Sequence, residues 1–201
     1  MTKPEITRAQ AIELANTTDP VFLLGIRGFF EPVGQNKKGI YDDALFLVTP
    51  DSIEGWNFNT DPSIDRPGMA VLQPGRYAYH QGLHGIHHLN LSNLEDRALY
   101  NKLIASKTDL APIAGRILPY WAFRQAGPVT VLRDGSDSTE TKINPADWPW
   151  IDIHHGGYNT TSSEGCQTVY PDQWSECRQK GFNAMDEHNI ETIYYTLVVK
   201  E

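Results

Sequence analysis

The sequence predicts a mostly β domain with α elements: a mixed sheet or a β-sandwich or barrel, with an N-terminal helix, a mid-chain helix and a short helix after Cys166. Three observations predict it. Apolar runs of strand length recur, VFLLGI at 21–26, ALFLV at 44–48 and YYTLVV at 194–199, each too short for a helix. Only the segment LSNLEDRALYNKLIASK, 91–107, shows a clear helical spacing of apolar residues. The 201 residues, 40% hydrophobic and 21% charged, contain no repeat or long low-complexity linker, so they form one domain, 1–201, around one sizeable core.

The opening MTKPEITRAQAIELA reads as a helix with Ile6, Ala9, Ile12 and Leu14 on its apolar face. It lacks the long apolar core of a secretory signal, and no apolar run is long enough to cross a bilayer. Synthesis in the cytoplasm without a classical signal peptide, and no integral membrane segment, are therefore expected. A strand follows at 21–26, then a loop, then a strand at 44–48 closed by Pro50. Asp42 and Asp43 are adjacent and would diverge on a strand, so solvated turn carboxylates are expected rather than an acid/base dyad.

The stretch from Trp56 to Asn90 mixes turns, aromatics and polar side chains, which suits the wall of a substrate cleft better than a core. Within it Tyr77 and Tyr79 share one strand face while Ala78 and His80 take the other. The helix at 91–107 carries Leu94, Ala98, Leu99, Leu103 and Ile104 as its stripe, with Ser92 or Asn93 as cap and Glu95 or Asp96 in its first turn, and is expected to pack on the sheet. A connector leads to a strand at 129–133 and an exposed turn at Asp134-Gly135-Ser136. Arg124 and Arg133 read equally as solvated or as partners for a substrate carboxylate.

The chemistry concentrates in IDIHHGGYNTTSSEGCQTVYPDQW, 151–174. Alternation of Ile151 and Ile153 with Asp152 and His154 predicts a short strand that ends at the histidines, where Gly156 and Gly157 release the chain into a polar loop. Cys166 follows His154 by twelve residues, a length that allows the loop to fold back and bring a thiol to an imidazole. That pairing is what a thiol nucleophile and its base require. His154 is the expected base, with His155 its competitor, because alternation turns only one of them inward. Gly165 permits a tight approach before the cysteine, and backbone N–H groups there could meet an oxyanion. Cys177 is expected to be an unpaired, partly buried thiol on a short helix near Trp174.

Ser163-Glu164-Gly165-Cys166 followed by Gln167-Thr168-Val169, with Ile153-His154 upstream, resembles the catalytic domain of the L,D-transpeptidase (YkuD-like) family, in a divergent form of phage or prophage type. The resemblance covers roughly 65–175 and makes 65–201 the catalytic region and 1–64 an elaboration. It implies Cys166 as the acylated nucleophile, His154 as base with the backbone carbonyl after it orienting the ring, and Ser163 and Gly165 as small residues of the cysteine loop. Glu164 stands where the family usually has histidine, and the spacing from histidine to cysteine is shorter than usual. His84, Ser163, Glu164 and Tyr79 are the expected substrate contacts, Glu164 pointing outward or toward substrate. The implied partner is a peptidoglycan stem peptide, met in the periplasm or cell wall after release or non-classical export, and the chemistry needs no cofactor.

A net charge of −8 and a pI near 5.3, with no basic patch, give no reason to expect nucleic acid as a partner. The sequence assigns no oligomeric state. Two other readings compete. His84, His87 and His88, with His80 or the 154/155 pair, could ligate zinc in a hydrolase, although no HExxH helix or ligand spacing selects a set. A noncatalytic phage or cell-wall-binding module would use the aromatic region 56–79 as its groove.

Overall fold

The computed structural model describes residues 1–64, 66–133, 139–142 and 151–201, with 139–142 as backbone only. The chain forms α1 (Arg8–Ala15), β1 (Phe22–Arg27), β2 (Asp43–Val48), β3 (Ile53–Asn59), β4 (Ala70–Leu72) and β5 (Gly75–His84). It continues through α2 (Leu94–Ser106), β6 (Tyr120–Gln125), β7 (Val129–Arg133), β8 (Thr139–Lys142), β9 (Ile153–His155), β10 (Gln167–Val169), α3 (Pro171–Glu187) and β11 (Ile193–Val199). This is a mixed α/β fold. The predicted turn at Asp134-Gly135-Ser136 lies outside the described residues.

The main sheet is mixed, with β1/β11 and β9/β10 parallel and the remaining pairs antiparallel. Its strand order, β1-β11-β5-β6-β9-β10-β3-β2, returns to β1 through the β1/β2 pair, so the sheet closes as a barrel. Residues 1–64, expected as an elaboration, supply β1, β2 and β3 of this ring. A separate three-stranded sheet, β4-β7-β8, lies beside it.

Two apolar layers explain why β1 and β2 are buried along their whole length. Leu23, Leu45 and Leu47 enter the main core with Trp56, Phe58, Tyr79, Phe123, Ile153 and Tyr195. Phe22, Leu24, Ile26, Ala44, Phe46 and Val48 face the other way, onto Ala11 and Ala15 of α1. A strand covered on both faces must be apolar at every position, which is why these runs are continuous rather than alternating.

α1 starts with a capping box between Thr7 and Gln10 and stops at Asn16 in a left-handed conformation. Its buried face is Ala11 and Ala15, with Ile6 and Ile12 packed alongside, whereas Ala9 and Leu14 of the expected face are exposed. The small side chains of Ala11 and Ala15 let the helix lie close against the strands. α2 begins at Asn93, whose side chain accepts from the Glu95 amide, as expected. Its stripe does not form: Leu94 is 78% exposed and Ile104 44% exposed, Ala98 is exposed, and Leu103 alone of the five enters the core. The helix touches the barrel through Leu103, whose carbonyl accepts from Trp121 Nε1. α3 is longer than the short helix expected, 17 residues with Pro171 in its first turn. It sends Trp174, Cys177, Phe182 and Met185 into the main core. Cys177 is fully buried and, like Cys166, is not in a disulfide.

Asp42 and Asp43 are not solvated. Asp43 is fully buried and accepts from the amides of Gly28 at 2.5 Å and Thr60 at 2.6 Å, and Asp42 accepts from the Lys37 amide at 2.9 Å. These carboxylates tie loops to the strand ends, the role a buried carboxylate can fill when backbone donors surround it.

Candidate active site

The parallel register of β9 and β10 places the cysteine. Gln167 opposes Ile153 and Thr168 opposes His154, so Cys166, one residue before β10, falls beside Asp152. The Gln167 amide donates to the Asp152 carbonyl at 2.8 Å, and the Asp152 amide approaches Cys166 Sγ at 3.5 Å. Ile153 fills the core, so alternation turns Asp152 and His154 to the opposite face. Arg124 of β6 and His84 at the end of β5 meet them there.

The loop between the histidines and the cysteine is fixed by its polar side chains. Ser163 Oγ donates to the Cys166 carbonyl at 2.6 Å and accepts from the Gly165 amide at 3.0 Å. The Ser163 amide donates to Ser63 Oγ, and Ser63 returns a backbone bond to the Ser163 carbonyl. Gly165 has φ +146°, and a Cβ there would lie 2.7 Å from the Ala70 carbonyl oxygen. Glycine is therefore required by both the backbone conformation and the space. The Tyr41 hydroxyl donates to the Gly157 carbonyl at 2.8 Å, anchoring the other end of the loop.

The pocket so formed has a volume of about 420 Å³, and Cys166, His154, His84, Asp152, Arg124 and Glu164 are in its wall. His154 is 5% exposed and its Nδ1 lies 2.6 Å from the His155 carbonyl oxygen. A carbonyl only accepts, so Nδ1 carries the proton and Nε2 is the basic nitrogen. The Tyr120 hydroxyl lies 3.1 Å from the same Nδ1. Burial, with His84 adding to it, lowers the His154 pKa to about 3. Burial, and next the charge of Asp152, pushes the Cys166 thiol up to about 12. Both shifts favour the neutral forms, so the resting pair is thiol and imidazole rather than thiolate and imidazolium.

Asp152 is fully buried and highly coordinated. Its carboxylate pairs with the Arg124 guanidinium, accepts from the Gln125 amide at 3.1 Å and meets His84 Nδ1 at 2.8 Å. The His84 and His154 rings stack, centroids 4.4 Å apart and planes 27° from parallel.

The other expected contacts separate into different roles. Glu164 points outward and pairs with Arg66 at 3.2 Å, its side chain 74% exposed. His155 is exposed, with its ring against Tyr120 and its Nδ1 bonded to the Gly156 carbonyl, and it is absent from the pocket wall. Tyr79 is fully buried in the core rather than in the wall, and its hydroxyl has no partner among the described residues. The Gly165 amide, expected to face an oxyanion, donates to Ser163 Oγ at 3.0 Å. Among the described residues no group of three or more His, Cys, Asp or Glu side chains is arranged to hold a metal ion, and His87 and His88 are exposed, their rings 4.1 Å apart and tilted at 46°.

Sequence reasoning missed Asp152 and the true place of Arg124. The alternation of IDIHH puts a carboxylate on the same face as His154, two residues earlier, and that pattern was the available signal. Comparison with known proteins finds no matching family model, no similar curated protein and no similar solved structure.

Proposed function

We propose that the chain is a cysteine-dependent acyl transferase of L,D-transpeptidase type acting on peptidoglycan stem peptides, as a transpeptidase or a peptide hydrolase. The observation that carries this reading is a thiol and an imidazole in the wall of one pocket, the imidazole held by the His155 carbonyl in the tautomer that leaves Nε2 basic. The family resemblance of the 163–169 motif supplies the substrate class, and the region 65–201 is read as catalytic on the same ground. The cell wall is the proposed site of action.

Cys166 Sγ attacks the peptide carbonyl carbon while its proton passes to His154 Nε2. Because thiol and imidazole both rest neutral, proton transfer and attack proceed together rather than from a preformed ion pair. The guanidinium of Arg124 supplies positive charge beside the developing oxyanion. The C–N bond then breaks, the leaving amine takes the proton from His154, and a thioester remains on Cys166.

The test is mass spectrometry of the protein and of muropeptides after incubation with defined tetrapeptide and pentapeptide stems, beside a Cys166→Ala variant and a chelator control. The expected result is an acyl adduct on Cys166 and cleaved or exchanged stems, both lost in Cys166→Ala and both insensitive to chelator. Intact stems without an adduct overturn the reading.

A further inference from the structure

We infer that His84 is a second catalytic imidazole of this pocket, oriented by Asp152, and that it activates the acceptor, water or an amine, that discharges the Cys166 thioester. The inference rests on the thiol-transfer reading and assigns the half of the reaction that reading leaves without a base.

His84 comes from the end of β5, far in sequence from the cysteine segment, yet its ring stacks on His154 at 4.4 Å. Its Nδ1 lies 2.8 Å from Asp152 Oδ2. A carboxylate accepts, so Nδ1 holds the proton and Nε2 is left as the nitrogen for proton exchange. Asp152 cannot turn away, because Arg124 and the Gln125 amide hold the same carboxylate and the residue is fully buried. An imidazole fixed in ring orientation and tautomer by a buried carboxylate is a preorganised acid/base group.

The two imidazoles differ in access. His154 is 5% exposed, whereas the His84 side chain is 27% exposed. An acceptor arrives from solvent and meets His84 first. Burial also leaves His154 a weak base toward an incoming amine or water. In the proposed step the acceptor lone pair attacks the thioester carbonyl as its proton passes to His84 Nε2. The C–S bond breaks, and the departing sulfur recovers a proton from the imidazolium, which restores thiol and neutral imidazole.

The test uses the full chain with tetrapeptide stem as donor, following the acylated fraction by intact-protein mass spectrometry and product release in parallel. His84→Gln should acylate within a few-fold of the wild-type rate but discharge about 100-fold more slowly, so that acyl-enzyme accumulates. Hydroxylamine, a nucleophile that needs no general base, should discharge that adduct at nearly the wild-type rate. Asp152→Asn, a positioning change, should slow discharge in the same direction, and a circular dichroism spectrum matching wild type establishes that each variant is folded. A wild-type adduct together with normal discharge in folded His84→Gln overturns this inference alone. Intact stems with no adduct on either the wild-type or the His84→Gln protein overturn the thiol reading and this inference with it.

Discussion

The backbone amide of Asp152 lies 3.5 Å from the sulfur of Cys166, while the carboxylate of the same residue holds His84 and Arg124. One buried residue thus touches the thiol through its main chain and fixes the second imidazole and the cation of the pocket through its side chain. The parallel pairing of β9 and β10 creates that junction, since it brings the residue before β10 level with the residue before β9.

The thiol should be slow to alkylate at neutral pH. A Cys166 pKa raised to about 12 means that the protonated form persists far above the ordinary thiol range. Iodoacetamide modification of Cys166, read by mass spectrometry, should therefore rise roughly tenfold per pH unit from pH 7 to beyond pH 10. A plateau near pH 8 or 9 would contradict it. Glu164 raises the thiol pKa, so Glu164→Gln should shift the curve to lower pH and leave the thermal midpoint unchanged, its pair with Arg66 being exposed.

Gly165→Ala should damage stability and chemistry together. The added Cβ meets the Ala70 carbonyl oxygen at 2.7 Å and the Ala70 Cβ at 2.9 Å, in a backbone conformation that alanine rarely adopts. Overpacking and backbone strain together should cost about 2 to 4 kcal/mol, measured by denaturant unfolding. Cys166 modification should also change, because the sulfur's loop must move to relieve the contact. A loss under about 0.5 kcal/mol would show that the loop has room the structure denies.

Arg124→Gln should destabilise the protein by about 3 kcal/mol or more, since it leaves the Asp152 carboxylate buried without its cation. Asp152→Asn combined with Arg124→Gln should recover part of that loss. Urea melts of the two single variants and the double variant measure the coupling, and additive losses would mean that the pair does not interact as placed.

Acid should weaken the fold through His154. Its folded pKa, about 3, lies below the ordinary value of 6.5, so its neutral form is favoured only in the native state. The contribution is complete above pH 6.5 and is lost as pH falls toward 3. Asp43 acts in the opposite sense: its pKa is raised to about 7, chiefly by burial, so its contribution is present at low pH and lost as pH rises through 7. A His154→Gln variant should therefore gain in thermal midpoint relative to wild type as pH is lowered from 7 to 4. A difference independent of pH would show that His154 titrates alike in both states.

Local order was legible where one face or one run decides it. The strand at 129–133 coincides with β7, and the runs at 21–26, 44–48 and 194–199 lie within a residue of β1, β2 and β11. The short strand at the histidines also follows from local alternation, whereas the carbonyl that holds the His154 ring was expected only from the family resemblance. The face of α1 and the stripe of α2 were misread for one reason. Helical periodicity says which residues share a face but not how near the partner surface lies, and here closeness selected Ala11 and Ala15 over Leu14, and left Leu94 and Ile104 in solvent.

The sequence by itself determined the strands at 21–26, 44–48, 129–133 and 194–199, the cap of α2 and the glycine before Cys166, since each depends on residues a few positions apart. Only the tertiary structure decided that Asp42 and Asp43 are buried, that Tyr79 belongs to the core, and that His84 and Arg124 join Asp152 beside the cysteine. Those partners lie 28 and 68 residues from Asp152 along the chain. Strand pairing and barrel closure bring them together, and the pattern of any one segment carries no record of which strand will lie beside it.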